Sequence, residues 1–120
     1  MTSTYLAVVG YRDYTNKQRV FEAIDAFIRI YELENVTIVS GGASGVDALA
    51  RLYAEERDYP YQEYPYVKSL GLRGGPARNT KIVNQATHLL AFPSHRGKGT
   101  QDSIRKAQLR GIPHEVIWVD

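Results

Sequence analysis

Ser40-Gly41-Gly42-Ala43-Ser44-Gly45-Val46-Asp47 decides the fold. Before it stands Val36-Thr37-Ile38-Val39-Ser40, rich in β-branched residues and read as a buried strand. After it Val46, Leu49, Ala50 and Tyr53 recur at helical spacing. A strand therefore passes through glycines directly into a helix. Glycines let the backbone turn sharply and come close to a ligand. Free N–H groups and the helix dipole at such a junction favour an anion, typically phosphate. The spacing is not G-x-G-x-x-G, and the lysine of a P-loop is absent. The same residues also suit a plain strand-to-helix turn, with Ser44 as N-cap and Asp47 completing a capping box. The two readings are compatible, because caps and a phosphate can share one helix end.

The pattern repeats outward from this unit. Upstream, Tyr5-Leu6-Ala7-Val8-Val9 reads as a strand ending at Gly10, and Val20, Ile24, Phe27, Ile28 and Tyr31 mark an amphipathic helix. Downstream, Tyr61 to Tyr64 is the weakest strand, and Val67 to Gly75 reads as a long loop. Pro76 suits the first turn of a helix running to about Gln85. His88 to Phe92 is a strand closed by Pro93, Thr100 to Arg110 a helix stopped by Gly111, and Glu115 to Val119 a final strand. Strands alternating with helices predict an α/β fold: one Rossmann-like three-layer domain over residues 1–120, with a mainly parallel five-stranded sheet. Ligands of such sheets sit beyond the carboxyl ends of the strands, where strand order reverses.

Three further clusters lie at those ends. Gly10-Tyr11-Arg12-Asp13 follows the first strand. Arg12 could hold a phosphate and Asp13 a ribose hydroxyl, or the two could pair with each other. Arg73-Gly74-Gly75-Pro76-Ala77-Arg78-Asn79 opens a helix. Arg78 can grip phosphate bidentately and Asn79 can face a sugar or base, or Arg78 can pair with a surface carboxylate. Phe92-Pro93-Ser94-His95-Arg96-Gly97-Lys98-Gly99-Thr100 sets Lys98 between Gly97 and Gly99, with Thr100 as a natural N-cap. That makes a second backbone nest with a cation at hand, or an ordinary connection.

Bulk properties bound the answer. With 120 residues, 43% hydrophobic and 23% charged, the chain suits one globular domain. It has no cysteine, which excludes disulfides and thiolate metal sites. The three histidines have no metal-ligand spacing, and neither metal nor cofactor is expected. The start, Met1-Thr2-Ser3-Thr4, has no basic or long apolar run, so no signal peptide or membrane span is expected and the cytoplasm is. A formal net charge of +2 is too mild to argue for nucleic acid.

Taken in order, the motifs resemble the SLOG superfamily, which includes the DNA-processing protein DprA and the LOG phosphoribohydrolases. Its small YspA-like branch is the nearest in pattern. That branch ends its first strand in Gly-Ser-Arg, often followed by Asp; here stand Gly10, Tyr11, Arg12 and Asp13. It continues with Ser-Gly-Gly-Ala-x-Gly-x-Asp, matched by Ser40, Gly41, Gly42, Ala43, Gly45 and Asp47. Gly-Pro-x-Arg-Asn is matched by Gly75, Pro76, Arg78 and Asn79. A Phe-Pro, glycines and Gly-Thr are matched by Phe92, Pro93, Gly97, Gly99 and Thr100, with Lys98 between. The resemblance implies that these residues bind a nucleotide-derived ligand.

Two departures stand out. Tyr11 replaces a small serine. The LOG enzymes carry a glutamate three residues after the Gly-Thr threonine, and Ser103 falls there, with Asp102 one residue earlier. A binding module that senses or sequesters the ligand is the first expectation. An N-glycosidase using Asp13, Asp47 or Asp102 is the second, and DprA-like DNA binding the third. SLOG relatives often pair through helices, which implies a homo-oligomer.

Overall fold

The computed structural model describes residues 3–120. Met1 and Thr2, where the reading of the N-terminal segment begins, lie outside the described residues. The elements are β1 (Thr4–Gly10), α1 (Lys17–Ile30), β2 (Val36–Ser40), α2 (Val46–Glu56), β3 (Tyr61–Glu63), α3 (Gly74–Gln85), β4 (His88–Phe92), α4 (Gly99–Arg110) and β5 (His114–Val116). The five strands form one sheet in the order β3-β2-β1-β4-β5. Every neighbouring pair is parallel, with Leu6 opposite Ile38 and Ala7 opposite Leu89.

Side chains alternate across a strand, and that alternation builds two cores. From β1, Leu6 and Val8 face Val20, Ile24 and Phe27 of α1 and Val46, Ala50 and Tyr53 of α2. Ala7 and Val9 face Ile82 and Val83 of α3 and Ala107 of α4 on the other side. The central strands β1 and β4 are buried on both faces, which is why they read as continuous apolar runs rather than alternating ones. The helices end where their caps dictate. The Asn16 side chain accepts the Arg19 N–H at 3.1 Å to start α1, and Gly111 closes α4 in the left-handed region at φ 71°.

Strand order reverses between β1 and β4. From β1 the chain steps outward to β2 and β3, then returns to lay β4 against the other side of β1. The crossovers leave a gap there, bounded by the loops after β1, β2 and β4.

Four local expectations are corrected. Val67 to Gly75 is not a loop: Lys68–Arg73 forms a 3-10 helical segment, kinked at Gly71 with φ 58°, and α3 already begins at Gly74. Short 3-10 turns carry no apolar periodicity, so no pattern announces them. Ser44 is not the N-cap of α2; Gly45 holds that position, and the Ser44 hydroxyl donates to the Arg12 carbonyl at 2.8 Å. Thr100 is the second residue of α4, capped by Lys98 without a side-chain bond. The last strand starts at His114 and its regular pairing ends at Val116, although the Ile117 and Val119 N–H groups still bond the Ala91 and Pro93 carbonyls. No helix among the described residues is long and apolar enough to cross a membrane.

Candidate functional site

A cavity of about 540 Å³ opens where the strand order reverses. Its walls are the loops after β1 (Gly10 to Asp13), after β2 (Gly41 to Ala43) and after β4 (Ser94, Arg96 to Gly99). Val9 of β1, Asp47 of α2, Arg78, Asn79 and Ile82 of α3, Thr100 and Ser103 of α4, and Pro65 with Tyr66 complete it. Its size falls within the ordinary range for small-molecule sites, about 300–1,000 Å³.

The loop after β2 is packed against its neighbours. A Cβ on Gly45, whose φ is +71°, would lie 2.4 Å from the Tyr11 oxygen and the Arg12 carbonyl carbon. One on Gly10 would meet Val46 and the Phe92 oxygen within 2.8 Å. These glycines let the ends of β1, β4 and α2 converge. The Ser40 hydroxyl is buried and donates to the Val8 carbonyl at 2.6 Å.

Asp47, only 5% exposed, turns back toward the loop rather than outward. Its Oδ2 accepts the Ala43 N–H at 3.3 Å. Burial pushes its carboxyl above the usual range; the Arg78 guanidinium and the Ala43, Gly10 and Gly41 N–H groups pull against that without cancelling it. Arg78 donates from Nη1 to the Gly41 carbonyl at 3.1 Å and from Nε to the Asn79 Oδ1 at 3.2 Å. Half-buried Arg78 thus spans from α3 to the β2 loop, instead of pairing with a surface carboxylate.

The loop after β4 is open by contrast. A Cβ on Gly99 would meet nothing within 4 Å, and one on Gly97 only the Tyr11 ring. Arg96 and Lys98 are exposed at its rim. The α4 N-terminus behind it has no side-chain cap. What anchors this loop lies at the chain's other edge. Asp120 Oδ2 accepts the Ser94 hydroxyl at 2.5 Å, and Oδ1 accepts the His95 N–H at 2.9 Å. The His95 ring stacks on Trp118 with centroids 4.3 Å apart, and its Nδ1 lies 3.0 Å from Asp120. The Ser94 hydroxyl and the His95 N–H hold the Asp120 carboxyl down to about 2.

Of the residues singled out by sequence, Gly10, Arg12, Asp13, Gly41, Gly42, Ala43, Asp47, Arg78, Asn79, Gly97, Lys98, Gly99 and Thr100 line the cavity. Ser40, Gly45, Pro76 and Pro93 are not among the lining residues. Ser40 and Gly45 shape the β2 loop, the buried Pro93 accepts the Val119 N–H, and the Pro76 carbonyl accepts Lys106 Nζ at 2.8 Å. Arg12 and Asp13 do not form an ion pair among the described residues. Asp102 stands outside the lining. It bonds Lys106 at 2.7 Å, Arg105 at 2.5 Å and the Asn79 amide at 3.2 Å. Burial opposes its ionisation, but the Lys106 ammonium, Asn79 and Arg105 hold its carboxyl below the usual range. Ser103, buried at 1% exposure, faces the cavity instead.

Sequence reading missed Arg96, Ser94, Tyr66 and Ile82 as lining residues. Arg96 stands inside a glycine-bearing loop, and that charge was the available signal. Tyr66 gave none: it reaches the site because its hydroxyl bonds the Gly71 carbonyl across the unforeseen 3-10 turn.

Solved structures share the fold. DprA from Streptococcus pneumoniae superposes with a TM-score of 0.74 at 19% identity, over 95% of this chain and 50% of that one. The protein TM1055 gives 0.68 at 16% identity, over 92% and 72%. DprA from Helicobacter pylori, solved for its single-stranded DNA binding mode, gives 0.67 at 21% identity, over 96% and 65%. The chain thus spans half to two-thirds of the two DprA chains. Comparison with curated proteins finds no match. The sequence model of one family matches residues 4–66, more than half of the chain, and takes in β1, the β2 loop and Asp47. The chain belongs to the YspA, cpYpsA-related SLOG family.

Proposed function

We propose that the cavity binds a phosphorylated, nucleotide-derived small molecule, and that the protein senses or sequesters it. One observation carries this reading: the uncapped α4 N-terminus and the open backbone at Gly99 face a cavity of about 540 Å³, beside Lys98 and Arg96. A helix N-terminus with exposed N–H groups and nearby cations suits phosphate. The apolar flank of Ile82, Pro65 and Tyr66 offers a surface for a base.

Cleavage by the LOG route is not part of the proposal. A general acid/base must reach the bond it helps to break. Ser103 occupies the position of the LOG glutamate, and Asp102 is tied to Lys106 and Arg105. The test is mass spectrometry of small molecules released from the purified protein, followed by calorimetry with the compound found. A protein that carries no phosphorylated compound, and binds none from a nucleotide panel, sinks the proposal.

A second reading, binding of a single-stranded nucleic-acid end, is favoured by the likeness to the Helicobacter pylori DprA. Its mark is salt dependence. A strand contacted at several phosphates loses affinity steeply as salt rises, whereas a mononucleotide with one phosphate loses little.

A further inference from the structure

We infer that the outer face of α3 and α4 docks an acidic amphipathic helix of another protein. Such docking is independent of what fills the cavity.

The charge of the chain is divided unevenly. From Val67 to Ile112 it carries nine of its fifteen Lys and Arg residues and only one of its thirteen acids, Asp102. That stretch holds the 3-10 segment, α3, β4 and α4, and β4 has neither cation nor acid. The cations therefore lie with the α3/α4 layer and at the rim of the cavity. Asp102 is already bonded to Arg105 and Lys106. Exposed Lys81, Arg96 and Lys98 pair with no acid among the described residues. The α1/α2 layer on the other side of the sheet is arranged the opposite way. Between Lys17 and Asp58 acids outnumber cations, and Lys17, Arg51 and Arg57 are each paired, with Glu56, Glu55 and Asp25. The mild net charge of +2 is thus the sum of two unlike faces. A face of one sign repels itself, and an anionic partner relieves that repulsion.

The side chains on this face choose among anions. Neither α3 nor α4 contains a Phe, Tyr or Trp, so a nucleic-acid strand lying here finds no ring on which to stack its bases. The face is the flank of two helices, with no strand edge for an extended peptide to pair with. At its centre is an apolar anchor: Leu109 is 81% exposed. It stands at a groove of about 200 Å³ between the helices, lined also by Thr80, Val83, Asn84, Lys106 and Arg110. Arg110 donates to the Val83 and Ala86 carbonyls, and Lys106 Nζ to the Pro76 carbonyl, so both cations are held in place beside the leucine. An exposed leucine gains nothing from phosphates but is stabilised by apolar side chains, while the surrounding cations call for carboxylates. Each helix has 12 residues, about 18 Å. Over that length a docked helix presents apolar anchors at i, i+3, i+4 and i+7 and turns its acids to the cationic rim.

The experiment titrates the full chain against a fluorescein-labelled synthetic helix of glutamates with leucines at i, i+3, i+4 and i+7, followed by fluorescence anisotropy at low and at physiological salt. A control peptide of the same charge has alanines in place of the leucines. The expected result is binding that weakens as salt rises, and that is about tenfold or more weaker for the control. Leu109→Ala and Lys81→Glu should each weaken the leucine peptide, the first by about tenfold. Both side chains are exposed, and a thermal melt checks that the variants stay folded. Equal binding of the two peptides would leave only unspecific charge attraction and overturns the inference, as does binding of neither. Tighter binding of an oligothymidylate of equal charge also overturns it, and assigns the face to nucleic acid. If a variant does not fold, the two peptides on the wild-type protein decide alone.

Discussion

The loops after β2 and β4 are both glycine-bearing strand-to-helix junctions, yet they are built in opposite ways. In the first, Gly45 is pressed against the backbone of Tyr11 and Arg12, and Asp47 bonds the turn from within. In the second, Gly97 and Gly99 have almost nothing beside them, and the loop is held from outside by Asp120 and Trp118. Glycine thus serves two ends in one protein. In the β2 loop it lets the start of α2 pack against the chain leaving β1; in the β4 loop the His95, Arg96 and Gly97 N–H groups are bonded within the fold, and open space is left beside Gly99 at the start of α4.

The sharpest way to break this contrast is Gly45→Ala. The new methyl would sit 2.4 Å from the backbone of Tyr11 and Arg12, at a φ of +71°. Overpacking and backbone strain together should cost about 3 kcal/mol or more in urea unfolding. A loss below about 1 kcal/mol would mean that the β2 loop is not packed as described.

Next in size is Arg78→Ala. In a solvated loop this change would be nearly silent. Here the guanidinium bridges to Gly41 and lies beside buried Asp47. Its loss should destabilise the protein without ligand by about 1–3 kcal/mol, the scale of an uncompensated polar group. An unchanged melting temperature would return Arg78 to a purely surface role.

Lys98→Ala and Gly99→Ala should behave differently. Neither residue packs against the core, so stability should stay within about 0.5 kcal/mol. Lys98→Ala should weaken a phosphorylated probe about tenfold in calorimetry. Full affinity in that variant would place the phosphate elsewhere.

The smallest effect is the anchor of the β4 loop under acid. The folded Asp120 carboxyl sits at about 2, below its ordinary 3.8. A depressed carboxyl contributes stability above the ordinary value, and that contribution fades as pH falls toward 2. Asp120→Asn should therefore be less stable than wild type at neutral pH, with the gap closing between about pH 4 and pH 2. A gap that is independent of pH would show that the carboxylate's charge plays no part in anchoring the loop.

These differences divide what was legible in the sequence from what was not. Apolar runs such as Leu6 to Val9 and Leu89 to Phe92, and the helical spacing of Val20, Ile24 and Phe27, gave away the alternation of strands and helices. Parallel pairing follows from that alternation. The glycines at the ends of β1, β2 and β4 marked the rim of the cavity, because ligands of parallel sheets gather there. The 3-10 turn at Lys68–Arg73 was not legible, since a turn with no core face leaves no periodic trace. For the same reason Tyr66 was not visible as a wall of the site.

By itself, then, the sequence determined the α/β class, the order of its elements and which loops could approach a ligand, because these depend on hydrophobic period and on glycine over a few neighbouring residues. Only the tertiary structure decided which of two similar loops is closed and which is open. That choice rests on contacts between distant residues: Arg78 reaching Gly41, Gly45 meeting Arg12, and Asp120 holding Ser94. A hydrogen-bonding group can be satisfied by partners from anywhere in the chain. Whether an N–H in a glycine loop remains free for a ligand is therefore a property of the packed molecule and not of the motif.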